Sequence, residues 1–359
     1  MKGRYLFSVC AMVLTCGWMH AVIANAAESG EVLRPTVGRV ERLDPRFDEL
    51  VPTDAVIEVL ATGFEWSEGP VWVPTNRGGL PANCLLFSDI PNNKVHCWKP
   101  GEGLSTFLEP AGFTGFAAYG KERGSNGLTC DHLGRLLSCE HGDRRVSLLE
   151  KDGGKRTVAD AWNGKRLNSP NDLVVHSSGA IYFTDPPYGL PERFDDPRRE
   201  IDFCGVYRID AEGNVSLLCE TMTRPNGLAF SPDEKHLYVA QSDPSAPVWK
   251  VFNVTSDGML DEGKVFFDAS GLAKKRRGNP DGLKVDVHGN LFATGPGGVL
   301  VISPEGTHLG TLLTGQATAN CCFGEDGRTL FITADALLCR VRLSTQGRLA
   351  GTGNKTSVN

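Results

Sequence analysis

The 359-residue chain carries no excess of basic charge: 37 lysines and arginines stand against 43 aspartates and glutamates, a formal charge of −6. That balance excludes the electrostatic footprint of a nucleic-acid-binding protein and a polybasic membrane anchor. Long apolar runs are missing too, apart from Tyr5 to Met19, which follows Lys2 and Arg4 and is broken by Gly17. This run is shorter than the roughly 20 residues a membrane helix needs, and Ala24-Asn25-Ala26 after it suits a signal peptidase. The reading is a secretory leader over residues 1–26, no membrane span, and an exported protein of the periplasm or extracellular space. There is no CxxC pair, no GxSxG elbow, no HExxH helix and no GxxxxGK[ST] loop, and GPGG at 295–298 is not a dinucleotide fingerprint. Cysteine zinc sites, serine hydrolases, zincins and nucleotide-driven enzymes lose ground accordingly. Helical periodicity is scarce beyond the leader, and the WD and kelch signatures of protein-binding propellers are absent.

What is present is a 40% hydrophobic share with 42 glycines and 21 prolines, enough to bury a full core. Of 11 cysteines, Cys10 and Cys16 fall in the leader and nine remain, an odd number, so at least one is unpaired. Cys84 with Cys97, Cys130 with Cys139 and Cys204 with Cys219 flank turn-like segments, which permits cross-strand bridges; buried thiols are the equal alternative.

One pattern recurs six times: a polar residue near glycine, a short apolar strand, a polar turn and a second apolar strand. The copies are WSEGPVWVP with LLFSDIP, GSNGLTCDHLGRLLSCEHG, NSPNDLVVHSSGAIYFTDP, RPNGLAFSPDEKHLYVAQS, NPDGLKVDVHGNLFATGPG and TANCCFGEDGRTLFITADA. Aligned, they place Glu68, Asn126, Asn171, Asn226, Asp281 and Asn320 in register at intervals of 58, 45, 55, 55 and 39 residues. Each copy runs on into further strand-like sequence, about four strands per unit. The expected fold is all-β, a six-bladed β-propeller over residues 55–345, with an N-terminal extension at 27–54 and a tail at 346–359. A last strand near Leu337 to Leu343 is expected to pair with one near Ala55 to Ala61 and close the ring.

The innermost strand of every blade lines the central channel, so six residues at its start face one axis. Two carboxylates and four amides form an all-oxygen set suited to a hard cation such as calcium, and two confined negative charges repel unless paired or metal-bound. The alternative, that Asn or Asp before Gly simply makes a turn, explains single copies but not Glu68. The run Lys274 to Arg277, just before Asp281, is either a solvated loop or a device steering anionic substrates.

At these residues the sequence resembles the regucalcin/gluconolactonase family of calcium-dependent lactonases, from about Phe64 to Val341. SEGPVW, SDIPNNKV, SPNDLVV with IYFTDPPYG, PNGLAFSPDEKHLYV, PDGLKVDVHGNL and NCCFGEDGRTLFIT match in order. The resemblance implies a six-bladed propeller with one divalent metal, calcium first and magnesium, manganese or zinc as alternatives. By motif, its ligands are Glu68, Asn226 and Asp281, with Asn171 at the metal or the substrate, and Asp281 also assists deprotonation of water. Regucalcin-like members carry an arginine two residues before the PND-type asparagine, where this chain has Ser169. Asn126, Asn171, His141, Asp185, Tyr188 and Asn320 are the expected substrate-pocket residues. The expected reaction is hydrolysis of a sugar lactone by a monomer or dimer. The alternatives are another ester or phosphotriester hydrolase, or a non-catalytic sugar- or protein-binding propeller with a structural metal.

Overall fold

Strands that are apolar on both faces leave no side for water, so each sheet must be covered twice. Cys84–Asp89, Leu136–Glu140 and Thr329–Ala334 are buried at every position. The computed structural model, which describes residues 34–351, resolves this demand as a closed ring of six antiparallel sheets. The expected leader and residues 352–359 lie outside the described residues. The blades span residues 67–108, 125–159, 173–219, 225–268, 283–313 and 318–342. The first strand of each blade lies against the first strands of both neighbours, so these six strands surround one axis. No single core exists; six apolar wedges fill the gaps between adjacent blades. Between the sixth and first blades, for example, Trp72 stacks on Phe331 with ring centroids 5.4 Å apart.

The ring closes as its sequence implies. Leu337–Arg342 pairs antiparallel with Ile57–Thr62, with Leu338 opposite Ala61 and Arg340 opposite Glu58, and the Arg340 guanidinium reinforces the seam at 2.6 Å from the Glu58 carboxylate. Residues 36–54 of the expected N-terminal extension belong to the propeller. Thr36–Val37 adds to the outer side of Ile57–Thr62 and Arg39–Arg42 to His308–Leu313. One short segment thereby covers the outer edges of the fifth and sixth blades, which would otherwise offer unpaired backbone groups. The short helix Phe47–Leu50 then buries Phe47 in the wedge between those blades.

Beyond the last strand, the chain crosses one end of the channel. Thr345 donates to Asp286 at 2.7 Å, Gly347 bridges Asp286, and Arg348 reaches Glu234 at 3.0 Å. Leu349 and Ala350 then border a largely apolar cavity of about 220 Å³, walled by Val71, Leu128, Val175, Phe230, Val285 and Phe323.

All nine cysteines of the described residues are free, and all but Cys219 are buried. This is the buried-thiol alternative: the registers place none of the three pairs directly opposite each other, and the thiols of Cys84 and Cys97 meet in a hydrogen bond. Cys97 stands opposite Leu86, Cys130 opposite Leu136, Cys139 opposite Val146 and Cys219 opposite Val206, so no two cysteines face each other directly. Among the described residues no helix is long and apolar enough to cross a membrane.

Candidate active site

The six residues in register do converge. Glu68, Asn126, Asn226 and Asn320 lie in the inner strands Ser67–Val73, Ser125–Cys130, Pro225–Phe230 and Thr318–Gly324. Asn171 and Asp281 stand two residues before Leu173–Val175 and Leu283–Val285. Five of them are at most 5% exposed, and Asp281 keeps partial exposure. The glycines that follow make no turns here; they let the inner strands approach closely around the axis. A Cβ on Gly69 would stand 2.0 Å from the Asn126 carbonyl oxygen, and one on Gly282 2.0 Å from the Asn320 side chain. Hydroxyls from second strands pin the same row. Ser88 donates to the Asn126 carbonyl at 2.8 Å, Thr184 to that of Asn226 at 2.7 Å and Thr294 to that of Ala319 at 2.7 Å.

In the third blade the glycine of this row is replaced by Asp172, which puts a third carboxylate in the channel. Asn320 ties the charges together, its amide nitrogen donating to Glu68 Oε2 at 3.1 Å and to Asp172 Oδ2 at 3.3 Å. The Asn320 oxygen accepts from the Cys321 N–H, so this amide turns its donors toward the axis and offers no oxygen to a cation. It departs from the all-oxygen ring that its spacing suggests. Glu68 Oε2 also accepts the Gly69 N–H at 2.7 Å, which leaves Oε1 for a further partner. Asn226 has the opposite polarity to Asn320. Ser242 donates to the Pro280 carbonyl at 2.8 Å and therefore accepts from the Asn226 nitrogen at 2.9 Å, which holds the Asn226 oxygen on the other side.

Electrostatics follow from this crowding. Burial pushes the Glu68 carboxyl up to about 8; the Gly69 N–H pulls it back in part and the Asp172 charge adds to the rise. Burial raises Asp172 as well. It also lifts Asp281 well above the carboxylate range, with Glu68 and Asp172 reinforcing it. Three acceptor oxygens, Asn126 Oδ1, Asn171 Oδ1 and Asp281 Oδ1, are buried without any hydrogen-bond donor. Unpaired buried acceptors each cost about 1–3 kcal/mol, and a hard divalent cation or a hydroxyl-rich ligand supplies what they lack. Glu68, Asn171, Asn226 and Asp281 therefore fit a cation through carboxylate and amide oxygens. Among the described residues no three His, Cys, Asp or Glu side chains form a metal cluster by themselves.

The other expected pocket residues divide. Tyr188 sits beside Asp281 and Ser242, its hydroxyl pKa raised by burial and then by the Asp281 charge. Asp185 lies fully buried under the 168–172 loop, accepting the Asn168 and Ser169 N–H groups at 2.7 and 2.8 Å, and so anchors the loop that carries Asn171. His141 is fully buried too. Of the Lys274 to Arg277 run, Arg276 is paired with Glu41 at 2.7 Å, while its neighbours are exposed. Asp172, Ser242 and Glu122 have no counterpart in the motif reading. Glu122 pairs with Arg193 at 2.6 Å and its charge acts on Asp281.

A family model described as the SMP-30/Gluconolactonase/LRE-like region matches residues 66–336. The chain belongs to this family. It is 41% identical to a gluconolactonase of Zymomonas mobilis subsp. mobilis, over 97% of this chain and 99% of that protein. A 6-deoxy-6-sulfogluconolactonase of Pseudomonas putida is 33% identical over 74% of this chain and 82% of its own length. Among solved structures, a gluconolactonase from Xanthomonas campestris superposes with a TM-score of 0.74 at 31% identity, covering 87% of this chain and 98% of that one. In this SMP-30/gluconolactonase member, all six blades and the whole channel ring lie within the matched span or within a few residues of it.

Proposed function

We propose that the protein is a metal-dependent hydrolase that opens a sugar lactone, with glucono-1,5-lactone as the first substrate to test. The observation that carries this reading is the set of donorless oxygens on Asn126, Asn171 and Asp281 beside Glu68. Kinship with proteins named for aldonolactones directs that set toward a lactone.

Glu68, Asn171, Asn226 and Asp281 would hold one divalent cation, calcium by the hardness of the oxygen donors. A bound cation would supply Lewis acidity toward the lactone carbonyl. Asp281 accepts a proton from the attacking water at its carboxylate. The water oxygen bonds to the carbonyl carbon, the ring C–O bond breaks, and the departing ring oxygen receives the proton and becomes a hydroxyl. Asn126 accepts a hydrogen bond from a sugar hydroxyl, and Tyr188 packs beside Asp281. No nucleophilic side chain is needed. Cys321, the thiol nearest the ring in sequence, is buried and pushed up to about 12, so it carries no reactive thiolate at neutral pH.

Chelation should abolish lactone opening above the spontaneous rate and lower the melting temperature, and added calcium should restore both. Stabilisation by calcium without turnover in any metal would replace this reading by a binding propeller with a structural ion. Export belongs to the same proposal, and rests on residues 1–26. Cell fractionation should find the protein outside the cytoplasm and beginning at Ala27; retention of an uncleaved chain in the cytoplasm would overturn it.

A further inference from the structure

His141 touches the ring from behind. Its imidazole is fully buried, with Nδ1 3.2 Å from the Glu122 carbonyl oxygen and Nε2 3.3 Å from the amide nitrogen of Asn126. A carbonyl can only accept, so Nδ1 must carry the proton. A neutral ring then has a bare Nε2, which can only accept, and the group it accepts from is the Asn126 NH₂. Burial holds the ring neutral, taking its pKa down to about 4. Gly189 closes the space on another side, since a Cβ there would stand 2.4 Å from the Cβ of His141. The ring is thus fixed in place, in tautomer and in acceptor polarity.

We propose that His141 is a positioning residue, fixing the Asn126 amide with Oδ1 toward the channel so that it accepts a hydrogen bond from a substrate hydroxyl. An asparagine amide is nearly symmetric in shape and would otherwise present oxygen or nitrogen with little preference. The relay from the Glu122 carbonyl through the imidazole breaks that symmetry. It also accounts for the buried, donorless state of Asn126 Oδ1, which is an acceptor held ready for a donor that the protein does not supply. His141 thereby sets a specificity element, favouring a hydroxyl over an acceptor-only substituent at that point of the ligand, without contacting the ligand. This assignment of a role in substrate binding rests on the lactonase reading; the tautomer does not.

Two measurements test it. In the metal-loaded protein with ¹⁵N-labelled histidine, long-range ¹H–¹⁵N spectra should show His141, identified by the signal lost in His141→Gln, as the Nδ1-protonated neutral tautomer; an Nε2-protonated or charged ring overturns the proposal. In steady-state lactone kinetics, His141→Phe, which removes the acceptor, should raise KM about tenfold, the scale of one hydrogen bond, with kcat changed by less than about threefold. His141→Gln, whose amide can donate to the Glu122 carbonyl while its oxygen accepts from Asn126, should recover most of that loss, leaving KM raised about two- to threefold. Unchanged KM in a folded His141→Phe protein, or equal defects in both variants, overturns the proposal. If His141→Phe fails to fold, the tautomer measurement still decides. If the wild-type protein opens no lactone while the Nδ1–H tautomer is found, the lactonase reading fails and the orientation of Asn126 stands.

Discussion

Asp281→Asn is expected to lower lactone turnover by about a hundredfold or more, the usual contribution of a positioned proton acceptor, without loss of the fold. Its backbone N–H donates to the Thr294 carbonyl at 3.0 Å, a bond that asparagine keeps. The change is nearly isosteric, and the side chain retains an oxygen for a cation. What is lost is a charge and a base. In chelator the substitution should not lower the melting temperature and should tend to raise it. Asp281 is held well above the carboxylate range, first by burial and then by Glu68 and Asp172, so its ionised form costs the folded state free energy that a neutral amide does not. The stabilisation gained on adding calcium should shrink, because only one of the two candidate carboxylate ligands remains charged. Kinetics and thermal melting with and without calcium check all three outcomes. Full turnover in the variant would remove Asp281 from the chemistry, and a collapsed melting temperature would show that its role is structural.

Gly69→Ala should be among the most damaging single substitutions in the molecule, at about 3–5 kcal/mol. Gly69 has φ near +51°, and its new Cβ would meet the Asn126 carbonyl oxygen at 2.0 Å. That carbonyl is already fixed by Ser88, so neither strand can yield without opening the ring between the first and second blades. A comparison isolates the cause. Gly101 has φ near +78° with nothing within 4 Å of where a Cβ would stand, so Gly101→Ala carries only the conformational cost, about 1 kcal/mol. Chemical denaturation of both variants should therefore separate by several kcal/mol, and calcium binding should weaken in Gly69→Ala alone because Glu68 moves with its neighbour. Equal losses in the two variants would mean that φ, not the close approach around the axis, sets the cost.

The architecture was legible because a propeller repeats its signal: six copies of one strand pattern at blade-sized intervals point to one axis, and the closing pair of strands follows from where the copies stop. The same repetition hid part of the site. Asn followed by Gly reads locally as a turn, and only the packed ring shows that the glycine serves contact between inner strands. Asp172 could have been found as the residue that breaks this glycine row with a charge. The hydroxyls of Ser88, Thr184 and Thr294 likewise recur at matching places in second strands, in FSD, FTD and ATG. Amide polarity is another matter. Asn320 turns its nitrogen inward because Glu68 and Asp172, 252 and 148 residues away in sequence, both offer oxygens there. Asn126 presents oxygen because a histidine stands behind it. Both are asparagines at the same register position of their repeats, so neither residue type nor register distinguishes them. The burial of Asp185, which ends the strand Ile181–Asp185, and of His141 was equally invisible, since aspartate is mostly exposed in folded proteins and histidine intermediate.

The seam between Leu337–Arg342 and Ile57–Thr62 joins the beginning of the propeller to its end. A chain emerging from its N-terminus can build the first four blades, and the four local strands of the fifth, from nearby partners, yet the channel stays open on one side until the last blade arrives to meet the first. Asn320 cannot clamp Glu68 before then. Closing so long a loop is slow relative to pairing neighbouring strands, so the acceptor cluster is expected to be completed late in folding. A protein with half its blades folded has no partial site. Assembly of the acceptor cluster during refolding should therefore report the joining of the last blade to the first.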